Sequence, residues 1–291
     1  MTWPADTGVL LVAHGTVEDL DDLGAFVSKI RHGRPPPPGL VEDLRRRYEA
    51  IGGSPLLRIT HQQSQALAKR LEVPVLTAMR LWEPGVERAL AGAEALGLSR
   101  LVVIALAPFS QHVYWDAARK SADATQSPVQ LVQSDAWGEE PDFVAAQAEL
   151  IREHAPQGAA LVISAHSLPK SVIDRGDPYA RLVERSASAI SAALGQKLRL
   201  CYQSQGKEGG DWLGPSVEAT LTGLAAEGQK VVAWAPVGFI ADHVETLYDL
   251  DIEARSMAER LGLTLTRIPA LNLHPGLVAA LSAVAIRAVS S

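Results

Sequence analysis

Short apolar runs alternate with longer amphipathic stretches along the whole chain. Eight runs rich in Val, Leu and Ile are predicted to be strands, at residues 8–13, 73–78, 101–107, 129–133, 159–164, 198–203, 231–236 and 263–267. They lack the period of two that marks a half-exposed strand. Continuous apolar runs of this length are typical of strands buried on both faces of a parallel sheet.

The stretches between these runs have helical character, at residues 62–71, 84–96, 141–154, 178–194 and 215–227. Four of the five open with proline, which is tolerated at the first helical position because its missing N–H would be unpaired there anyway. Strand and helix in alternation predict a doubly wound α/β fold.

A weak internal repeat divides the chain. GVLLVAHGT at residues 8–16 and ALVISAHSLP at residues 160–169 are each a buried strand that ends in Ala-His and a turn. The repeat predicts two similar Rossmann-like half-domains whose parallel sheets face one central cleft, where ligands bind in such folds. We predict a first half at 1–155 and a second at 156–291, with the last helix a candidate to pack on the first half.

His166 follows the strand of the second repeat. A neutral imidazole there could bind a metal or accept a proton near neutral pH. A single histidine after a strand more often has a structural role. The residue alone leaves both interpretations open.

An acidic segment follows the seventh predicted strand. DHVETLYDLDIEARSMAERLG, at residues 242–262, has helical character to Leu261, and it places Glu245, Asp249 and Glu253 at i, i+4 and i+8. On an α-helix these carboxylates would form a ladder about 12 Å long. No Lys or Arg occurs from Asp242 to Ala254, and a row of oxygen ligands suits a mobile divalent cation. A merely acidic surface is the alternative.

Composition narrows the class of protein. A net charge of −6 without a basic stripe argues against a nucleic-acid partner. The single cysteine, Cys201, excludes an internal disulfide and a four-cysteine iron–sulfur cluster within one chain, and it is predicted to be a small buried residue of a strand. The sequence shows neither a signal peptide nor a run of about 20 apolar residues, which predicts a cytoplasmic protein without a transmembrane segment.

Several segments together resemble one known family, the ferrochelatases. GVLLVAHGT, IRHGRPPPPGLVEDLRRRYEAIGGSPL, AMRLWEP, ISAHSLP, CYQSQG with WLGP, and PVGFIADHVETLYDLDIE follow one another in the order of that family, from residue 8 to about residue 255. The resemblance implies an enzyme of haem biosynthesis that inserts Fe²⁺ into a free-base porphyrin. Iron would be a substrate, with no permanently bound cofactor.

The same resemblance implies roles for particular residues. His166 and Glu245 would flank the porphyrin centre as catalytic and metal-binding groups. Asp249 and Glu253 would continue outward as a path for metal or protons.

The segment 31–53 resembles the porphyrin lip of the compact, soluble members that make coproheme. In those members, arginines at the positions of Arg31 and Arg47 hold propionates with help from a serine near Ser54. This favours coproporphyrin III as substrate, with protoporphyrin IX as the alternative.

His14 departs from the compact members, which usually have tyrosine there. It is a candidate porphyrin-binding residue and axial iron ligand, although a polar turn residue would also suffice. AHGT is also similar to the metal-binding turn of sirohydrochlorin chelatases. A chelatase of that type and a non-catalytic porphyrin or haem carrier therefore stay open as alternatives.

Overall fold

The computed structural model describes residues 3–206 and 210–290. The strands are β1 (Thr7–Ala13), β2 (Val75–Met79), β3 (Arg100–Ala105), β4 (Gln130–Gln133), β5 (Ala160–His166), β6 (Arg199–Gln203), β7 (Val231–Ala235) and β8 (Thr264–Arg267). The α-helices are α1 (Leu23–Ile30), α2 (Leu40–Ala50), α3 (Leu56–Leu71), α4 (Val86–Ala95), α5 (Gln111–Thr125), α6 (Pro141–His154), α7 (Lys170–Asp174), α8 (Tyr179–Leu194), α9 (Val217–Ala226), α10 (Val244–Leu247), α11 (Arg255–Arg260) and α12 (Pro275–Ser290). A 3-10 turn covers Leu20–Asp22, and a π-helical turn covers Asp249–Ala254.

The chain forms two compact units. The first comprises the chain up to Trp137 and from Leu277 onward, and the second comprises Gly138–Gly276. These bounds differ from the predicted division after residue 155, because α6 packs with α8 of the second unit. The last helix, from Leu277 onward, belongs to the first unit.

The first unit is built on a four-stranded parallel sheet in the order β2-β1-β3-β4. All seven residues of β1 are buried, whereas the edge strand β4 is partly exposed, as expected when helices cover the middle of a sheet. Leu90 of α4 and Tyr114 of α5 pack on Leu10 and Val103 of this sheet. Each large apolar side chain buried in this way contributes about 1.5–3 kcal/mol to folding.

The second unit repeats this design. Its four parallel strands have the order β6-β5-β7-β8, so β5 takes the central place that β1 takes in the first unit. Leu221 of α9 and Leu250 of the π turn pack on Val162 and Trp234. The internal repeat of the sequence is therefore a repeat of topology.

Most predicted elements are confirmed, with shifted ends. Every predicted strand lies within two residues of an observed one at each end. α6 begins at Pro141 as predicted, with proline in its first turn. The helices predicted from prolines 84, 178 and 215 begin one or two residues later; α9, for example, has Ser216 as N-cap, whose side chain accepts from the Ala219 N–H at 3.2 Å.

The prediction of one continuous α-helix at 242–261 is wrong in its middle. The N–H groups of Ile252 and Glu253 both donate to the Tyr248 carbonyl, at 3.1 and 3.0 Å, which opens a wider π turn at Asp249–Ala254. The i, i+4, i+8 spacing of the three acids therefore does not give one straight α-helical ladder. π turns are rare in proteins, but those that do occur are often found at functional sites.

Candidate active site

His166 and Glu245 form the centre of the candidate site, within the second unit. His166 is the last residue of β5, and Glu245 lies in the first turn of α10. Nδ1 of the imidazole lies 3.1 Å from Oε2 of the carboxylate, and the two side chains are 36% and 30% exposed. The pair that the sequence placed 79 positions apart is thus in direct contact while both partners remain accessible.

The strand β5 and its following turn fix the histidine. His166 pairs in register with Gln203 of β6, and the Tyr179 hydroxyl donates to the His166 carbonyl at 2.9 Å. The next residue, Ser167, donates its N–H to the Gln203 carbonyl at 2.7 Å. The backbone that carries the imidazole is therefore held from β6 and from α8.

A buried chain of hydrogen bonds fixes the backbone of the acid. Trp234 Nε1 donates to Ser164 Oγ at 2.8 Å, and Ser164 Oγ donates to Gln203 Oε1 at 2.5 Å. Gln203 Nε2 then donates to the Glu245 carbonyl at 2.8 Å. Since all three side chains are at most 2% exposed, each bond forms in a low-dielectric interior, where a lost partner is costly.

A glycine lets the loop after β7 approach β5 next to the histidine. A Cβ on Gly238 would lie 2.7 Å from the Ala165 Cα, closer than atoms can approach. The Gly238 N–H donates to the Ser164 carbonyl at 2.9 Å. This contact requires glycine for steric reasons, and it lies one residue from His166.

Electrostatics favours the charged imidazole of His166. Burial by itself would lower its pKa, but the charge and hydrogen bond of Glu245, with the charge of Asp249, outweigh burial and raise the pKa of His166. Glu245 therefore makes the imidazole of His166 a stronger base.

The other two predicted acids lie farther along the same segment. Asp249 accepts from Ser204 Oγ at 2.5 Å and is half-buried, while Glu253 is exposed. Among residues 3–206 and 210–290, no three His, Cys, Asp or Glu side chains are grouped so that they could hold a metal ion. The metal-binding role of these acids stays a prediction.

His243 is a neighbour of the pair that the sequence analysis missed. Its Nε2 lies 4.0 Å from Glu245 Oε2, and its ring lies 5.2 Å from that of Phe239. Burial lowers the pKa of His243 more than Glu245 raises it. The sequence offered one indication of this histidine, because His243 stands only two residues before Glu245 in the DHVE segment. A residue at the start of a helix can face the same end of the sheet as a residue in its first turn.

His14 lies in the first unit, directly after β1, and is half-buried. Its carbonyl accepts from the Leu81 N–H at 3.0 Å. The following Gly15 has φ +111°, and a Cβ there would lie 3.1 Å from the Trp82 nitrogen, so the turn requires glycine. Trp82 thus packs against the turn that carries His14.

The predicted porphyrin-binding residues of the lip also lie in the first unit. Arg31 Nε donates to the Pro35 carbonyl at 3.3 Å, and Ser54 Oγ accepts from the Leu56 N–H at 3.4 Å. Arg47 Nε donates to Asp43 Oδ2 at 3.2 Å. Local contacts therefore position all three residues.

Comparison with solved structures defines the fold first. The chain resembles SirB from Bacillus subtilis with Fe³⁺ at a TM-score of 0.61 and 15% identity, covering 98% of this chain and 96% of that one. It resembles CbiX, the terminal enzyme for siroheme biosynthesis in denitrifying bacteria, at a TM-score of 0.54 and 14% identity, covering 97% and 98%. At these identities the likeness shows the fold alone, which is a chelatase fold with two Rossmann-like halves.

Sequence relatives then define the family. The Ferrochelatase family model matches residues 6–289. A ferrochelatase of Herpetosiphon aurantiacus is 37% identical over 94% of this chain and 96% of its own, and a coproporphyrin III ferrochelatase of Anoxybacillus flavithermus is 36% identical over 96% and 95%. The chain belongs to the ferrochelatase family, which confirms the predicted family, fold class and enzyme class. Within the described residues, no helix is both long and apolar enough to cross a membrane.

Proposed function

We propose that the chain inserts Fe²⁺ into coproporphyrin III, with His166 and Glu245 at the centre of the reaction. The observation that carries the proposal is the 3.1 Å contact between His166 Nδ1 and Glu245 Oε2 at the end of β5. Insertion replaces two pyrrole protons by one Fe²⁺, so the site must accept protons and guide a cation. A histidine–carboxylate couple provides groups for both tasks.

The orientation of the imidazole supports one proposed task for each ring nitrogen. Nδ1 faces an acceptor, so it donates its proton to Glu245 and leaves Nε2 with a free lone pair. Nε2 is then the atom that takes the first pyrrole proton and, once that proton has passed to water, the second. The carboxylate holds the ring in that tautomer and stabilises the imidazolium that forms, as in other acid–histidine pairs.

Glu245, Asp249 and Glu253 would serve as the route for iron or protons. Their exposure increases along the segment, from the half-buried Glu245 and Asp249 to the exposed Glu253. Carboxylate oxygens bind hard divalent cations, and ligands spread along a path hold them weakly enough for release. Fe²⁺ is a substrate in this proposal, and no cofactor is bound permanently.

The choice of porphyrin rests on the relatives and on charge. Relatives about 36% identical are named coproporphyrin III ferrochelatase. Segment 31–53 carries five arginines and three acids, a net charge of +2 in a chain whose net charge is −6. A positively charged lip favours a porphyrin with four propionates over one with two, and Arg31, Arg47 and Ser54 are the proposed contacts. His14 is the proposed axial ligand of the iron in the product.

The single cysteine and the composition of the chain support the remaining parts of the proposal. Cys201 is fully buried, so we propose no iron–sulfur cluster. We also propose a cytoplasmic enzyme whose partners are its porphyrin and Fe²⁺, without a nucleic acid.

One assay tests the proposal. Purified protein receives Fe²⁺ without oxygen, together with coproporphyrin III, protoporphyrin IX or sirohydrochlorin, and absorbance follows the metallated product. We expect the fastest insertion with coproporphyrin III. Faster turnover of protoporphyrin IX or sirohydrochlorin would refute the substrate, and binding of all three without insertion would indicate a carrier.

A further inference from the structure

Arg267 connects the two ends of the segment that carries the acids. It is the last residue of β8, and its side chain is only 12% exposed. Nη1 donates to Asp242 Oδ1 at 2.8 Å, and Nε donates to Asp251 Oδ2 at 2.8 Å. Asp242 precedes α10, whereas Asp251 lies within the π turn, so one guanidinium spans the start and the end of the segment.

Asp242 is fixed by further bonds. Its Oδ2 accepts from Asn272 Nδ2 at 2.8 Å, and its Oδ1 accepts from Thr246 Oγ1 at 3.2 Å. Its own N–H donates to Asn272 Oδ1 at 2.8 Å. The entry into α10, three residues before Glu245, therefore has one defined position.

The segment between the two aspartates needs such support. α10 has only four residues, and in the π turn that follows the N–H groups of Ile252 and Glu253 share the Tyr248 carbonyl instead of each having its own acceptor. β8, in contrast, is part of the sheet: Arg267 pairs in register with Trp234 of β7, whose indole begins the hydrogen-bond chain to Glu245. The Arg267 side chain therefore fixes this irregular segment to the sheet.

We infer that Arg267 is a positioning residue for iron insertion, because its fork to Asp242 and Asp251 holds Glu245 and Asp249 in register with His166. The inference rests on the proposed function of those acids. A guanidinium presents two donors in a fixed plane, so it can hold both aspartates at once. A lysine ammonium at this place could hold one of them.

The chain offers a matched control on the same aspartate. Arg255 Nη2 lies 3.1 Å from Asp251 Oδ1, but its side chain is 48% exposed. An exposed pair is screened by water and contributes little. Arg255→Gln removes a charge and a partner of Asp251 while leaving the bridge to Asp242 intact.

Kinetics separates positioning from general stability. For Arg267→Gln we expect kcat/KM for Fe²⁺ to fall about 10- to 100-fold, the loss typical of a reacting group displaced by about 1 Å. Porphyrin affinity, read from fluorescence quenching, should stay unchanged. Arg267→Lys should lie between the wild type and Arg267→Gln, and Arg255→Gln should match the wild type. Two results would overturn the inference. One is a loss of kcat/KM in Arg267→Gln that the fraction of unfolded protein explains by itself, and the other is an equal loss in Arg255→Gln.

A second measurement does not need turnover. In protein with ¹⁵N-labelled histidine at one fixed pH, the ring ¹⁵N shifts of His166 report its contact with Glu245. We expect these shifts to change in Arg267→Gln and to remain unchanged in Arg255→Gln. Unchanged shifts in Arg267→Gln would overturn the inference even in an active enzyme, whereas changed shifts in a protein that inserts no iron would refute only the proposed function.

Discussion

The two sheets have the same strand order and carry a histidine at the same end, yet their surroundings differ. His14 follows β1, and His166 ends β5. After the third strand of the first unit, the Gln111 side chain accepts from the Ala105 N–H at 2.7 Å and donates to the Val103 carbonyl at 3.0 Å, and the first turn of α5 carries no acid. After the third strand of the second unit, α10 brings Glu245 to His166. The repeated scaffold thus places a histidine in each unit, and α10 of the second unit adds the acid of the proposed site.

The sheets also differ beneath these loops. With the two Ala-His pairs aligned, Ser164 corresponds to Val12, and Trp234 corresponds to Val103 by strand register. The first unit buries two valines where the second buries a hydroxyl and an indole that support Glu245. A buried polar network therefore accompanies the acid–histidine pair and is replaced by aliphatic packing in the other unit.

Removal of either member of the pair should have the largest effect. His166→Ala and Glu245→Ala should each lower turnover about 10²- to 10⁴-fold, the usual contribution of general acid–base groups, while porphyrin binding remains.

His14→Ala should lower turnover less than about tenfold and shift the absorbance of bound haem, since the proposed role of His14 is to bind the product. Steady-state rates and haem spectra measure both. Equal losses at His14 and His166 would contradict the division of roles, and His154→Ala serves as a control.

Removal of the supporting hydroxyl should have an intermediate effect. Ser164→Ala leaves the buried Trp234 N–H without its acceptor and Gln203 without its donor, which should lower the free energy of unfolding by about 1–3 kcal/mol. Urea denaturation measures this change. Ser188→Ala, at an exposed position of α8, should stay within about 0.5 kcal/mol of the wild type. A similarly small change at Ser164 would mean that the network does not support the fold.

The smallest expected effect is a shift in titration. The pKa of His166 is raised above its usual value of about 6.5, so activity that needs neutral imidazole should rise as pH increases through the raised pKa. The pair stabilises the folded state fully below about pH 6.5, and this contribution is lost as pH rises through the folded pKa. NMR titration should show a lower pKa of His166 in Glu245→Gln. An unchanged pKa would show that Glu245 is not its main partner.

The sequence predicted the repeated elements well for a definable reason. Fully buried strands such as β1 leave continuous apolar runs, and the flanking turns leave Ala-His in both halves. His166 and Glu245 were predicted as a pair through the resemblance to the ferrochelatases, and the structure places them in contact.

Features that leave no pattern of residue types in the sequence were not predicted. The π turn arises from two N–H groups that share the Tyr248 carbonyl, and no residue in the segment breaks the helical pattern. The role of Arg267 depends on Asp242 and Asp251, which are 25 and 16 positions away. α3 begins six residues before its predicted start, since Leu56 and Ile59 are buried by tertiary packing.

The π turn also determines where the chain can change in length. A π turn holds one residue more than an α-helical turn, so deleting one residue from Asp249–Ala254 would allow it to close into an ordinary α-helix. The side chains on the two sides of the deletion would keep their relative orientation, and Leu250 and Ala258 would still face the core of the second unit together. Deleting one residue from a regular helix such as α8 would instead rotate one side by about 100° relative to the other. Between Glu245 and Ala258, the π turn is therefore the place where the loss of one residue should disturb the packing least.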